Sequence, residues 1–277
     1  MMIFVRICFV LIFITLFAAV LVLDSYLTGK SPWHHFESST KQRIDGIPFC
    51  EYDRSTSLLR ERSNSLSDFA FLAVGFYMLV QAIEGQQKAR AKNTILSLIN
   101  GLANCAHAIG SWLNHACRCQ LGHRLDLTGM WLIIVFISFY SLIRHANIKT
   151  FLFTLIFLAN GFILWIISDI YYPQSYDNEE KLLTTILIVI FVLSEGFHLR
   201  SKSITAKQLK WFGLGALSLI IGVVSGQLDA SKIVCWPHSW FQLHAVWHIC
   251  AACSVLAIYE YFRADTSFIN KKIEHLT

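Results

Sequence analysis

The chain has 277 residues, of which 55% are hydrophobic and only 15% charged, with a mean hydropathy of +0.51. Soluble domains carry about 25% charged residues, so the composition excludes an ordinary soluble domain and describes an integral membrane protein. The net charge of +5 comes with no nucleic-acid signature, no Gly-rich phosphate loop and no internal repeat, so its meaning lies in how it is spread over the loops.

Residues 1–23 hold an unbroken apolar run, Ile7 to Leu23, behind Arg6. Such a run is either a signal peptide or a signal anchor that stays, and the lack of a clear Ala-x-Ala cleavage site favours the anchor. Residues 24–65 are polar and of mixed charge and read as an extramembrane segment, with a short amphipathic helix near Leu58 to Ser65. Seven further apolar stretches follow, at Leu66–Ile83, Thr94–Ala116, Leu125–Ile143, Phe151–Ser168, Leu182–His198, Trp211–Leu228 and Ser239–Phe262. Each is close to the roughly 20 residues needed to cross a bilayer, and no linker is long enough for a second domain. The expected architecture is all-α: a seven-transmembrane helix bundle over residues 66–262, an extra N-terminal hydrophobic segment, and a tail at residues 263–277.

Orientation follows from Lys and Arg in the loops. One side holds twelve: Lys88, Arg90, Lys92, Arg144, Lys149, Arg200, Lys202, Lys207, Lys210, Arg263, Lys271 and Lys272. The short loops opposite hold four, namely Arg118, Arg124, Lys181 and Lys232. The tail is therefore expected in the cytosol, and residues 24–65 face the lumen, periplasm or exterior.

In the last span, Phe241-Gln-Leu-His244-Ala-Val-Trp-His248 places two histidines four apart. On a helix they share a face, about 6 Å apart along the axis, the spacing by which a helix offers two imidazoles to one metal. An ionisable pair inside a span is expensive and points to function. Both lie toward the non-cytosolic end. The second span ends there with Ser111-Trp-Leu-Asn-His115, and the third begins there with Asp126. Three imidazoles with an open fourth position make the catalytic form of a zinc site. Ser111 shares the face of His115, while Asp126 could orient a ligand, take a proton or coordinate. Taken singly, each has a bland reading: His115 snorkelling to the interface, Asp126 pairing with Arg118 or Arg124, Ser111 bonding a backbone carbonyl. His107 reads as core packing or a helix–helix hydrogen bond. His34, His35, His123 and His238 read as solvated loop residues, and Asp169 and Glu195 as interfacial. Cys250 and Cys253 have zinc-like spacing but read as packing within the last span.

Ser111-x-x-x-His115, Asp126 eleven residues on, and His244-x-x-x-His248 resemble the superfamily joining alkaline ceramidases, adiponectin-type receptors and GPI-lipid remodelling proteins. Gly110-Ser111-Trp112, Leu125-Asp126 with Met130, and Phe241-Gln-Leu-His244-Ala-Val-Trp247-His248 are most similar to the alkaline ceramidase branch, over Cys50 to about Phe262. The resemblance implies a zinc amidase that cleaves ceramide within the bilayer to a sphingoid base and a fatty acid. It implies zinc on His115, His244 and His248, with Asp126 as general base and then acid, and Ser111 donating to the oxyanion. It also implies calcium near the zinc. Cys50-Glu51-Tyr52-Asp53 and the stretch from Glu61 to Asp68 resemble the segment that builds that site, making Glu51, Asp53 and Glu61 the candidate calcium ligands. Here Asp53 stands where Asn is usual, and Glu61 comes one residue early. The same resemblance supports a Cys50–Cys235 disulfide, with Cys117 and Cys119 as nearby competitors. Rival readings are a hydrolase of another lipid amide or ester, a seven-helix receptor with structural zinc, and a metal transporter.

Overall fold

A computed structural model describes residues 2–27, 29, 32–33, 49–87, 91–143, 156–157, 159–163, 166, 177–201 and 204–264. Among these residues every regular element is a helix: α1 Met2–Tyr26, α2 Arg62–Ser67, α3 Phe69–Gln87, α4 Ala91–Cys117, α5 Gln120–Ile143, α6 Asp177–Ser201, α7 Ala206–Ala230 and α8 Leu243–Ala264. The stretch expected at Phe151–Ser168 lies mostly outside the described residues, as do Asp169, His34, His35 and the tail beyond Ala264.

Among the described residues, five stretches are long and apolar enough to cross a membrane: Arg6–Tyr26, Arg62–Glu84, Gln120–Ser141, Ala206–Ala230 and Leu243–Ala264. The full seven-span count is not reached on that measure among the described residues. Helix α4 has the length but carries Asn100, Asn104, His107, Ser111, Asn114 and His115 on its buried side. In α6 the apolar part is shorter, Thr184–Phe197.

Helix α4 packs between α3 and α5, α7 lies along α8, and α3 also meets α8. Short α2 wedges against α4 and α8. The core of this arrangement is apolar, with Phe71, Val74, Met78, Trp131, Phe136 and Tyr259 in one cluster. Two glycines let α4 and α5 touch backbone to backbone. A Cβ on Gly110 would sit 2.6 Å from the Leu125 carbonyl carbon, and one on Gly129 would sit 2.6 Å from the His107 Cα. That close approach is the small-residue packing of membrane helices, and it brings Ser111 and His115 beside Asp126.

Helix ends fall where local chemistry puts them. Arg118 takes a left-handed backbone (φ 51°) and its N–H returns to the Asn114 carbonyl, stopping α4 just after His115. Helix α8 starts at Leu243 rather than Ser239, because residues Trp236 to Ser239 turn first and the Gln242 amide donates to both their carbonyls. His244 therefore lies in the first turn of α8. Helix α5 begins earlier than expected, at Gln120, so His123 and Arg124 belong to its first turn instead of a loop.

Helix α1 packs on α3, with Phe9 against Phe76 and both Phe13 and Phe17 edge-on to Phe69. Arg6 pairs with Glu84 at 2.7 Å, at the far end of α3 from the histidines. Glu195 is not interfacial as expected. It is 1% exposed, accepting hydrogen bonds from Ser141 on α5 and from Tyr261 on α8.

Candidate metal centre

Two helices deliver the three imidazoles: α4 brings His115 in its last turn, and α8 brings His244 and His248 in successive turns. One ring nitrogen from each lies within 4.8 Å of the others, so the three could hold one metal ion. Ring centroids are 5.0 Å apart for His115–His244 and His115–His248, and 4.5 Å for His244–His248. Phe49 closes one side, its ring 4.0 Å from that of His244.

The outer nitrogens of two rings are already committed. His115 Nδ1 donates to Glu61 Oε2 at 2.6 Å. His248 Nδ1 lies 2.8 Å from Ser67 Oγ and 3.1 Å from Asp68 Oδ1. A carboxylate on Nδ1 fixes the tautomer, turns Nε2 toward the metal and makes it a better donor. The Nε2 of His115 is buried and without a hydrogen-bond partner, as a waiting ligand atom would be. This donor set fits a transition metal bound by imidazole nitrogen, zinc among them.

Asp68 was not among the residues singled out for chemistry, yet it is 1% exposed and sits at the centre of the cluster. Its carboxylate faces both His248 and the buried Ser111 hydroxyl. The available signal was an acidic residue within the span expected at Leu66–Ile83. Asp126 comes to the same region but is more open, with its side chain 19% exposed. Asn114 Nδ2 donates to its Oδ2 at 2.8 Å, and His107 Nδ1 is 3.5 Å from its Oδ1. His107 also reaches the Asp126 backbone carbonyl at 3.2 Å, the helix–helix contact expected of it.

Residues 49–64 fold over this end of the bundle. The N–H groups of Arg60 and Glu61 donate to the carbonyls of Ala116 and His115. Cys50 forms a disulfide with Cys235, and its N–H donates to the buried Asp229 at 3.1 Å. Cys117 and Cys119 pair with each other, so the competitors are satisfied locally. Asp24, at the end of α1, accepts from the Leu59 N–H and pairs with Arg62.

The three candidate calcium ligands do gather here, but each carboxylate is answered by an arginine. Arg60 grips Asp53 with two bonds, at 2.7 and 2.5 Å. Arg118 reaches Glu61 at 2.7 Å and Arg54 reaches Glu51 at 3.2 Å. Glu51 also accepts from the N–H groups of Ser63 and Asn64, both at 2.9 Å. Burial raises its pKa above the usual carboxylate range, against the pull of those donors. Calcium wants six to eight oxygens free of competing cations. This donor set does not fit it.

The sequence model of the ceramidase family matches residues 44–275. That span takes in the three histidines, Glu61, Asp68, Ser111 and Asp126 and leaves out α1. No curated protein matches the chain.

Proposed function

The chain belongs to the ceramidase family, and from that membership and the three converging imidazoles we propose a zinc-dependent lipid amide hydrolase working within the bilayer, cleaving ceramide to a sphingoid base and a fatty acid. Family membership supports ceramide hydrolysis as the general activity. The observation that carries the finer reading is the pair of carboxylate-backed histidines, Glu61–His115 and Asp68–His248, with the His115 Nε2 turned inward and unsatisfied.

His115, His244 and His248 would hold the ion. Bound there, zinc supplies Lewis acidity for a carbonyl and lowers the pKa of water toward about 7. The chain's own residues do the rest. Asp126 takes the proton of the attacking water as its oxygen bonds to the carbonyl carbon. It then gives that proton to the amide nitrogen as the C–N bond breaks. The Asn114 amide holds one Asp126 oxygen and so aims the other. Ser111 donates to the oxygen on which negative charge develops. Asp68 and Glu61 act through the rings they bond, keeping Nδ1 protonated and Nε2 free.

The active site faces the non-cytosolic side in this reading. In its support, the Cys50–Cys235 disulfide lies at the histidine end, and disulfides persist outside the cytosol. Lys207, Lys210 and Arg263 lie at the other end. Ceramide is apolar apart from its head, so it enters sideways from lipid, with the acyl chain among the helices.

Purified protein should release fatty acid from labelled ceramide, lose that activity to a zinc chelator and regain it with zinc. Acyl esters and lysolipids assayed alongside test the substrate class. Release from those substrates but not from ceramide, or ceramide cleavage indifferent to chelation, would overturn the reading.

A further inference from the structure

We infer that Glu51, Asp53 and Glu61 form an internal ion-pair clamp with Arg54, Arg60 and Arg118, in which guanidinium groups stand where a divalent cation would be, so that this chain binds no calcium there. Arg60 forms a two-bond fork with Asp53 and donates a third bond to the Cys117 carbonyl at 3.1 Å. Arg118 sits between two of the acids, 2.7 Å from Glu61 and 3.8 Å from Asp53. Glu61 gives its other oxygen to His115, with the Asn64 amide at 3.2 Å.

Charge makes the same point. Three carboxylates face three guanidiniums, and Arg is never deprotonated in proteins. A dication entering the cluster would meet Glu51 and Asp53 oxygens already bonded to N–H donors, with Glu61 Oε1 left to face the Arg118 guanidinium, and would lie within a few ångströms of positive groups that repel it. Arg118 is 3% exposed, so its guanidinium lies within the cluster and not in solvent. The planar Arg60 fork also satisfies the Asp53 lone pairs in a way a spherical ion does not.

The consequence reaches the metal centre. The clamp lies between residues 49–64 and the end of α4, and Glu61 belongs to both the clamp and His115. Arginine in place of calcium makes the seating of Glu61 against His115 independent of the calcium level around the protein. The inference rests on the ion pairs and not on the hydrolase reading, and its test uses no substrate.

The experiment takes the full-length protein in detergent, stripped with EGTA and reloaded with zinc. Bound radiolabelled calcium and melting temperature are followed up to about 1 mM calcium, the weak end of biological calcium sites. The expected result is no stoichiometric calcium and an unchanged melting temperature in the wild type. Asp53→Asn should lower the melting temperature by the same amount with and without calcium. About one calcium per chain that Asp53→Asn or Glu51→Gln abolishes would overturn the clamp. A calcium that survives both substitutions lies elsewhere and leaves the clamp standing.

Discussion

At the scale of single residues, the site depends on which groups hold metal and which move protons. Purified protein should hold about one zinc per chain, the count one three-histidine centre requires, and His244→Ala or His248→Ala should lose metal and activity together. Full occupancy in the double variant, measured by elemental analysis, would sink the assignment. Asp126→Asn should keep most of the zinc while hydrolysis falls by about two to four orders of magnitude, the worth of a positioned acid–base group. His115→Ala should lose zinc first. If zinc content followed the reverse order, ligand and base would have to be exchanged. Asp68→Asn probes the other kind of role: removing a carboxylate behind a ligating histidine typically weakens metal binding about 10- to 100-fold. A zinc competition titration reads that directly, and an unchanged affinity with lost turnover would make Asp68 the proton carrier instead. The histidines were legible in the sequence because i, i+4 spacing on a helix is a local rule. Asp68 and Glu61 were not legible in these roles, since contact with His248 and His115 spans 180 and 54 positions of chain. Only the fold brings them together.

Apolar runs marked α1, α3, α5, α7 and α8 well, because a helix that faces lipid must be apolar to do so. The same rule understates α4, whose polar residues face inward. Ser97 meets Tyr259, Asn104 bonds back to Asn100, and Asn114 holds Asp126. Boundaries shifted for the reason that caps and turns, not hydropathy, end helices: Arg118 closes α4 and the Trp236–Ser239 turn delays α8. Glu195 looked interfacial from its position alone, but Tyr261 and Ser141 bury it among α5, α6 and α8. Tyr261→Phe should therefore destabilise the bundle by on the order of 1 kcal/mol, as interhelical hydrogen bonds in membranes typically do, seen as a lower unfolding midpoint in detergent. An unchanged midpoint would mean the contact carries no net stability. The Cys50–Cys235 bond closes a far longer loop, with a sequence separation of 185. Cys235→Ser should cost about 2–5 kcal/mol and free the segment over the histidines. A non-reducing peptide map should find Cys50 joined to Cys235 and Cys117 joined to Cys119.

For the whole molecule the open quantity is topology, and three observations bear on it together. The histidine end carries the disulfide, the opposite end carries Lys207, Lys210 and Arg263, and Arg6 pairs with Glu84 at that opposite end. A helix that enters with Arg6 in the cytosol and ends with Asp24 bonded to Leu59 and Arg62 crosses once and stays tied to the domain at both ends. That is the signal anchor we propose for residues 1–23, with the positive residue inside. The intact mass of mature protein should therefore include residues 1–23. Single cysteines placed at exposed Lys207 and His238 give the second measure. In intact cells a membrane-impermeant thiol reagent should label His238→Cys and reach Lys207→Cys only after permeabilisation. The reverse pattern would put the metal centre on the cytosolic side. A reducing compartment would then work against Cys50–Cys235, so labelling and peptide map should agree, and a free Cys235 with inverted labelling would overturn both readings at once.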